Sequence, residues 1–206
     1  MKLLSRKKSD SGFTIIELLV ATAVFSLVLI VFLSAIIRIS ELFYKGVNMS
    51  NTQEAARNIV QDISDDIQFY QQQPVIGANY FCVGAHRYTY SLYTKVDRAT
   101  SHGITREVIN GGCPSPATQP VNYSKGEELV DTGMQLNKLT LSNCANGLCT
   151  ISIHLIYYGA DPSVLVPGPS GVTPAVQAPD ATCGGPASSS EFCAVADYQS
   201  TVLQNF

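Results

Sequence analysis

Between Leu18 and Ile37 the chain runs for 20 residues without a charge, a proline or a glycine. As an α-helix, such a run rises roughly 30 Å, the thickness of the hydrocarbon core of a bilayer. This feature constrains the chain more than any other, because a helix apolar on all sides cannot form one face of an ordinary soluble domain. Ahead of it, Met1–Gly12 carries four basic residues, Lys2, Arg6, Lys7 and Lys8, against one acid, Asp10. Basic flanks stay in the cytoplasm, so the expected orientation is N-terminus inside and the rest of the chain outside.

Composition supports that division. The chain has 206 residues, of which 46% are hydrophobic and 14% charged, and a net charge of −3. Room remains for one ordinary domain after the span. Removing a +3 leader from a chain of −3 leaves −6 for the exported part. No general excess of positive charge is left to hold nucleic acid, so that partner would need a local basic patch.

The string joining leader and span reads Ser11-Gly12-Phe13-Thr14-Ile15-Ile16-Glu17-Leu18-Leu19-Val20-Ala21. An ordinary secretory signal has a shorter apolar region, with small residues after it. Here the glycine comes first, and one carboxylate stands at the start of the apolar run. Gly12 to Ala21 resembles the class III signal of type IV pilins and type II secretion pseudopilins. The resemblance implies cleavage after Gly12 by a prepilin peptidase and N-methylation of the new terminus, Phe13. It also implies that Glu17 pairs with the terminal amine of a neighbouring subunit during assembly. A carboxylate at such depth is costly, so a functional partner is its default reading, with snorkelling to the interface as the plain alternative. The implied partners are other pilin subunits, the prepilin peptidase, an inner-membrane assembly platform, and lipid before assembly.

No proline occurs from Phe13 to Gln73, and Gly46 is the single glycine there. One helix of about 60 residues is expected, free to bend at Gly46. Ala56, Ile59, Val60, Ile63 and Ile67 recur at helical spacing, so its second half should lay a stripe on a globular head. Pro74 closes it. Asp62, Asp65 and Asp66 read as a solvated face of that helix. The stretch Asn51–Ile67, opening Asn-Thr-Gln-Glu-Ala-Ala-Arg, loosely resembles tip-located minor pseudopilins and minor pilins of the J type. The expected segments are a leader at 1–12, a transmembrane or filament-core helix at 13–37, an amphipathic helix at 38–73, and a β-rich head at 74–206.

In the head, Tyr88, Tyr90 and Leu92 alternate with Thr89, Ser91 and Tyr93 as in a strand. Leu139–Ser142 and Thr150–Tyr158 form the best strand pair. The second run puts Ile151, Ile153, Leu155 and Tyr157 on one face, and Ser152, His154 and Ile156 on the other, where His154 reads as half-exposed. Asn146-Gly147 suits a two-residue type I′ turn between the two runs. Cys144 would then face Cys149 across a non-hydrogen-bonded pair, within disulfide reach. Cys183 and Cys193 are near neighbours and pair next, leaving Cys82 for Cys113. Six external cysteines read as disulfides, although 15 connectivities are open to them. Six prolines between Pro162 and Pro186 predict an irregular excursion over the head at about 160–188, and Ser190–Leu203 a last strand or packed tail.

The expected fold class is α+β, a pilin fold with a long N-terminal helix packed on an antiparallel sheet. No metal, cofactor or catalytic motif is recognised: His86, His102 and His154 have no ligand spacing, and no phosphate loop or nucleophile elbow occurs. The expected function is structural, as a minor pilin or pseudopilin. A single-pass anchored ectodomain, receptor or ectoenzyme, is the rival reading. An adhesive or DNA-uptake role would show as a basic or aromatic patch near Arg87, Lys95, Arg98 and Arg106, with Tyr80, Tyr88, Tyr90 and Tyr93.

Overall fold

The computed structural model describes residues 12–70, 72–110, 113, 126–144, 147–184 and 192–203. Met1 to Ser11, Ala145, Asn146, Pro186, Ser190 and Glu191 lie outside the described residues, so the leader and the tip of the expected hairpin do too. The chain divides into two units, Met1–Leu42 and Phe43–Phe206. A single helix, α1 (Ile15–Tyr70), contributes to both. It continues through Gly46 and stops four residues short of Pro74, where the loss of a backbone donor and the ring clash forbid helix.

Within the first unit, the described large apolar side chains are exposed, from Phe13 and Ile15 through Phe32 to Leu42. The hydroxyls of this stretch do not hang free. Thr22 donates to Leu19 O at 3.0 Å, Ser26 to Thr22 O at 2.8 Å and Ser34 to Ile30 O at 2.8 Å. Back-bonding of this kind lets a hydroxyl sit in an apolar surround without an unsatisfied donor.

The second unit places α1 against antiparallel strands. Five of them form one sheet in sequential order: β1 (Val75–Ile76), β2 (Tyr80–Val83), β3 (His86–Tyr90), β4 (Ile104–Val108) and β5 (Glu127–Glu128). A second sheet has the order β10-β7-β6, built from β6 (Met134–Ser142), β7 (Leu148–Tyr158) and β10 (Cys193–Leu203). A third has two short strands, β8 (Leu165–Val166) and β9 (Thr182–Cys183). The expected single sheet is thus three. The architecture is α+β and pilin-like, with a long N-terminal helix, antiparallel sheets and three disulfides.

The core follows from the helical stripe. Ala55, Ala56, Ile59, Val60, Ile63 and Ile67 are buried in one cluster with Phe81, Tyr88 and Ile104 of the first sheet. Leu136, Ile151, Ile153, Leu155, Ala196 and Val202 of the second sheet belong to the same cluster. Spacings of three and four put the helical residues on one face, and period two puts Ile151, Ile153 and Leu155 on one side of β7.

The other side of β7 corrects the sequence reading. His154 is 2% exposed, not half-exposed. The proline-rich segment folds onto this face, burying Val164, Leu165, Ala178 and Ala181 against Ile156 and Tyr158. Polar side chains pin it there. Gln135 Nε2 donates to Val176 O at 2.6 Å, and Asn137 Nδ2 to Ala178 O at 2.6 Å. His154 Nε2 lies 3.0 Å from Ala181 O, and its Nδ1 lies 2.5 Å from Asp197 Oδ1. The alternation of β7 suggests one wet face because periodicity cannot register a distant segment that covers it.

The hairpin also differs. Ser142 pairs with Thr150 and Leu141 with Ile151, a register one step away from one that would set Cys144 opposite Cys149. β6 ends at Ser142 because Asn143 adopts φ 61°, turning the chain out of the ladder before the cysteine. Asn, like Gly147 at φ 78°, tolerates that region. The Cys144–Cys149 disulfide closes this wider loop, while Cys82–Cys113 and Cys183–Cys193 close two others.

Two measurements check this packing. Ile63 is 0% exposed, so Ile63→Ala should lower the unfolding free energy of the head by about 2–5 kcal/mol. Phe69 is 79% exposed, and Phe69→Ala should change it by less than about 0.5 kcal/mol. Burial, and then the bond to Asp66, holds the Tyr88 phenol well above the ordinary tyrosine range. A raised folded pKa means stability that is present below the unfolded value of about 10 and lost as pH rises through the folded one. In an alkaline absorbance titration, Tyr88→Phe should remove a tyrosine that ionises only after the exposed ones.

Candidate functional site: the N-terminal segment

Gly12, Phe13 and Thr14 precede the first helical residue, Ile15, and all three are exposed. A Cβ built on Gly12 would meet nothing within 4 Å. Among the described residues, packing therefore gives no reason for glycine there. Phe13 is 80% exposed, a large apolar side chain with nothing of its own fold to cover it.

Thr14 and Glu17 build the helix start between them. Thr14 N donates to Glu17 Oε2 at 2.9 Å, and Thr14 Oγ1 donates to the same oxygen at 2.8 Å. Glu17 N donates in return to Thr14 Oγ1 at 3.4 Å. This is a capping box, in which residue N-cap and residue N3 satisfy each other's orphan donors. The carboxylate also sits in the first turn, where it opposes the positive end of the helix dipole. Glu17 therefore has local partners in the single chain. Its geometry holds one carboxylate within a turn of the Phe13 nitrogen, the atom that cleavage would turn into an amine.

Thr14 is the residue that the sequence reading missed. The signal was present as Thr-x-x-Glu directly before an apolar run, but it was overshadowed by the resemblance carried by the neighbouring residues. The other singled-out residues lie in the second unit. Each of the six cysteines takes part in one of the three disulfides.

The second unit disperses the residues named as a basic patch. Arg87 is buried and paired with Glu107. Lys95 donates to Gly159 O at 2.5 Å and lies 4.5 Å over the Tyr158 ring. Arg98 bonds Asp131 at 2.9 Å. Arg106 lies 3.6 Å from Asp62 and 3.4 Å from Glu127. Four cations each held by an acid, a carbonyl or a ring present no shared field to a polyanion. The tyrosines do not assemble into a surface either, since Tyr88 is buried and stacks on Phe81 at 4.8 Å.

The three aspartates of α1 part company as well. Asp66 Oδ2 lies 2.7 Å from His86 Nδ1 and accepts from Tyr88 Oη at 2.5 Å, and Asp62 faces Arg106. Of the expected solvated face, Asp65 alone is fully exposed. A helical spacing cannot reveal that β3 and β4 pass close enough to recruit two of the three. Among the described residues no cluster of His, Cys, Asp or Glu has the arrangement of a metal site.

Comparison with known proteins adds one finding at the place the geometry singles out. Residues 7–33 match the model of the prokaryotic N-terminal methylation motif. No curated protein and no solved structure matches the chain. The matched segment covers Gly12, Phe13, Thr14, Glu17 and most of the apolar run, in a helix long and apolar enough to cross a membrane. The chain thus carries, on an α+β pilin-like fold, the class III prepilin signal of type IV pilins and pseudopilins.

Proposed function

We propose that this protein is a structural subunit, of the minor class, in a type IV pilus-like or type II secretion filament. Prepilin peptidase cleaves it between Gly12 and Phe13, and Phe13 is N-methylated. The segment 13–37 rests in the membrane with the N-terminus cytoplasmic, and the assembly platform then moves it into the filament core. The amphipathic segment 38–73 and the head at 74–206 are carried outside. Other pilin subunits are its main partners, and its role is structural rather than catalytic.

The observation that carries this reading is the join of a methylation motif to a helix whose apolar side chains, up to Leu42, are exposed on every face. Lipid covers such a surface before assembly, and neighbouring copies of similar helices cover it afterwards. Glu17 fits the transfer. In the free chain the carboxylate bonds Thr14, and in the filament it exchanges those bonds for the charged amine of a neighbour, a pairing worth more where water is excluded. A head with three disulfides and a pinned proline-rich segment suits a specialised minor subunit better than a bulk one.

The mass of the N-terminal peptide from native cells tests the processing. The expected peptide begins at Phe13 with one added methyl group. A chain that keeps Met1–Gly12 in cells with an active peptidase would return the reading to a single-pass anchored ectodomain. Glu17→Ala should leave membrane insertion intact and abolish recovery of the protein in sheared filaments. Thr14→Ala should weaken the helix start by about 1 kcal/mol and reduce that recovery, while Thr14→Ser restores the cap and the yield.

A further inference from the structure

All three histidines of the chain lie against a carboxylate. His86 Nδ1 is 2.7 Å from Asp66 Oδ2, and His102 Nδ1 is 3.1 Å from Glu128 Oε2. A neutral imidazole with its one hydrogen on Nδ1 serves either contact. His154 is held differently. Its Nδ1 lies 2.5 Å from Asp197 Oδ1 and its Nε2 lies 3.0 Å from Ala181 O. A carbonyl oxygen only accepts, and so does an ionised carboxylate. Two acceptors on one ring call for a hydrogen on each nitrogen, and only the imidazolium carries both.

The two contacts join different parts of the fold. Asp197 stands directly opposite His154 on β10. Ala181 belongs to the proline-rich segment and immediately precedes β9. The other side chains that pin this segment, Gln135 at Val176 O and Asn137 at Ala178 O, are amides and do not titrate. His154 is therefore the tether whose donor a change of pH can remove. Its ring is 2% exposed, but the Asp197 side chain beside it is 76% exposed, which gives a proton a short route to water.

The charged groups around the ring come from each element packed against it. β10 brings Asp197, and β6 brings Lys138, which pairs with His154 across the ladder and is exposed. The proline-rich segment brings Asp180, held below the ordinary carboxylate range by its bonds to Ser170 and, more weakly, by the charge of His154. Glu54 and Arg57 of α1 stand across an open groove from Asp197.

We propose that His154 is a proton-dependent latch on the proline-rich segment: with both ring hydrogens in place it ties Ala181 to β7, and with one removed it releases the Ala181 carbonyl. The latch is closed at lower pH and opens as pH rises, when one hydrogen leaves the ring for water. The hydrogen that remains stays on Nδ1, because the carboxylate is the stronger acceptor. Nε2 then turns a lone pair toward Ala181 O, and a buried acceptor loses its donor. The ladder Leu165↔Cys183 and Val166↔Thr182 follows directly on Ala181, so this is the part that loosens. The Cys183–Cys193 disulfide keeps that end tied to β10, so the segment opens without being freed. This inference does not depend on how the N-terminus is processed.

The test uses the full-length chain, labelled with 15N, in detergent micelles. Ring-nitrogen spectra follow the hydrogens of His154, and amide exchange follows the segment at each pH, corrected for the pH dependence of free amides. The expected ring carries two hydrogens at the acid end and one, on Nδ1, at the alkaline end. Across that change, protection of the Thr182, Cys183 and Gly184 amides should fall about tenfold or more, the loss of one charge-assisted hydrogen bond, while Ile63 and Ile153 hold theirs. In Asp197→Asn the side-chain amide can donate to Nδ1, so one ring hydrogen suffices for Ala181 and the fall should disappear. His154→Gln should also abolish it, since the glutamine amide donates to Ala181 O without titrating. If that buried substitution prevents folding, the exposed Asp197→Asn still decides. Protection that stays constant while the ring titrates, a ring with one hydrogen throughout, or a fall that persists in Asp197→Asn would overturn the proposal.

Discussion

The stripe from Ala55 to Ile67 holds the head together. Among the described residues no ladder joins the five-stranded sheet to the three-stranded one, so backbone pairing does not unite them. What they share is an apolar cluster, and the helix supplies its middle. Burying a side chain such as isoleucine is worth about 1.5–3 kcal/mol, and α1 buries four isoleucine or valine side chains here along with two alanines. Polar contacts then fix the angle at which helix and strands meet. Asp66 reaches His86 and Tyr88 on β3, and Asp62 reaches Arg106 on β4, so the polar flank of the stripe selects a register that hydrophobicity alone would leave open.

A second, smaller core depends on the first. Once β7 has committed one face to the helix, its other face still carries Ile156 and Tyr158, which need cover. A proline-rich segment is suited to provide it, because restricted φ lowers the entropy lost on fixing an irregular path. Such a segment has few ladder bonds of its own, so its carbonyls must find donors. Gln135, Asn137 and His154 stand beneath it, at Val176, Ala178 and Ala181. Those buried polar residues would be a liability without the segment, and the segment would be a loose loop without them.

The same chain must serve two solvents. Up to Leu42 it exposes an apolar helix whose hydroxyls are satisfied internally, as a bilayer demands. From Phe43 on it forms a disulfide-bonded unit with its own core. Thr14 and Glu17 stand at the opening of the first unit and close the helix end with reciprocal bonds. A carboxylate placed there satisfies the orphan donors of the first turn and stabilises the helix start.

The long helix, its apolar first half, its amphipathic second half and the processing motif were legible in the sequence. Each depends on neighbours within a few positions, where helical periodicity and local charge decide the outcome. The strands at Thr150–Tyr158 and Leu139–Ser142 were legible for the same reason. Tertiary structure alone decided that His154 is buried, that Asp66 meets His86 and Tyr88, and that Asp62 faces Arg106. It also decided that Asn143 turns the hairpin early. Those outcomes depend on which distant segment arrives beside a residue, and no local pattern encodes its own neighbour across 20 or more positions of chain.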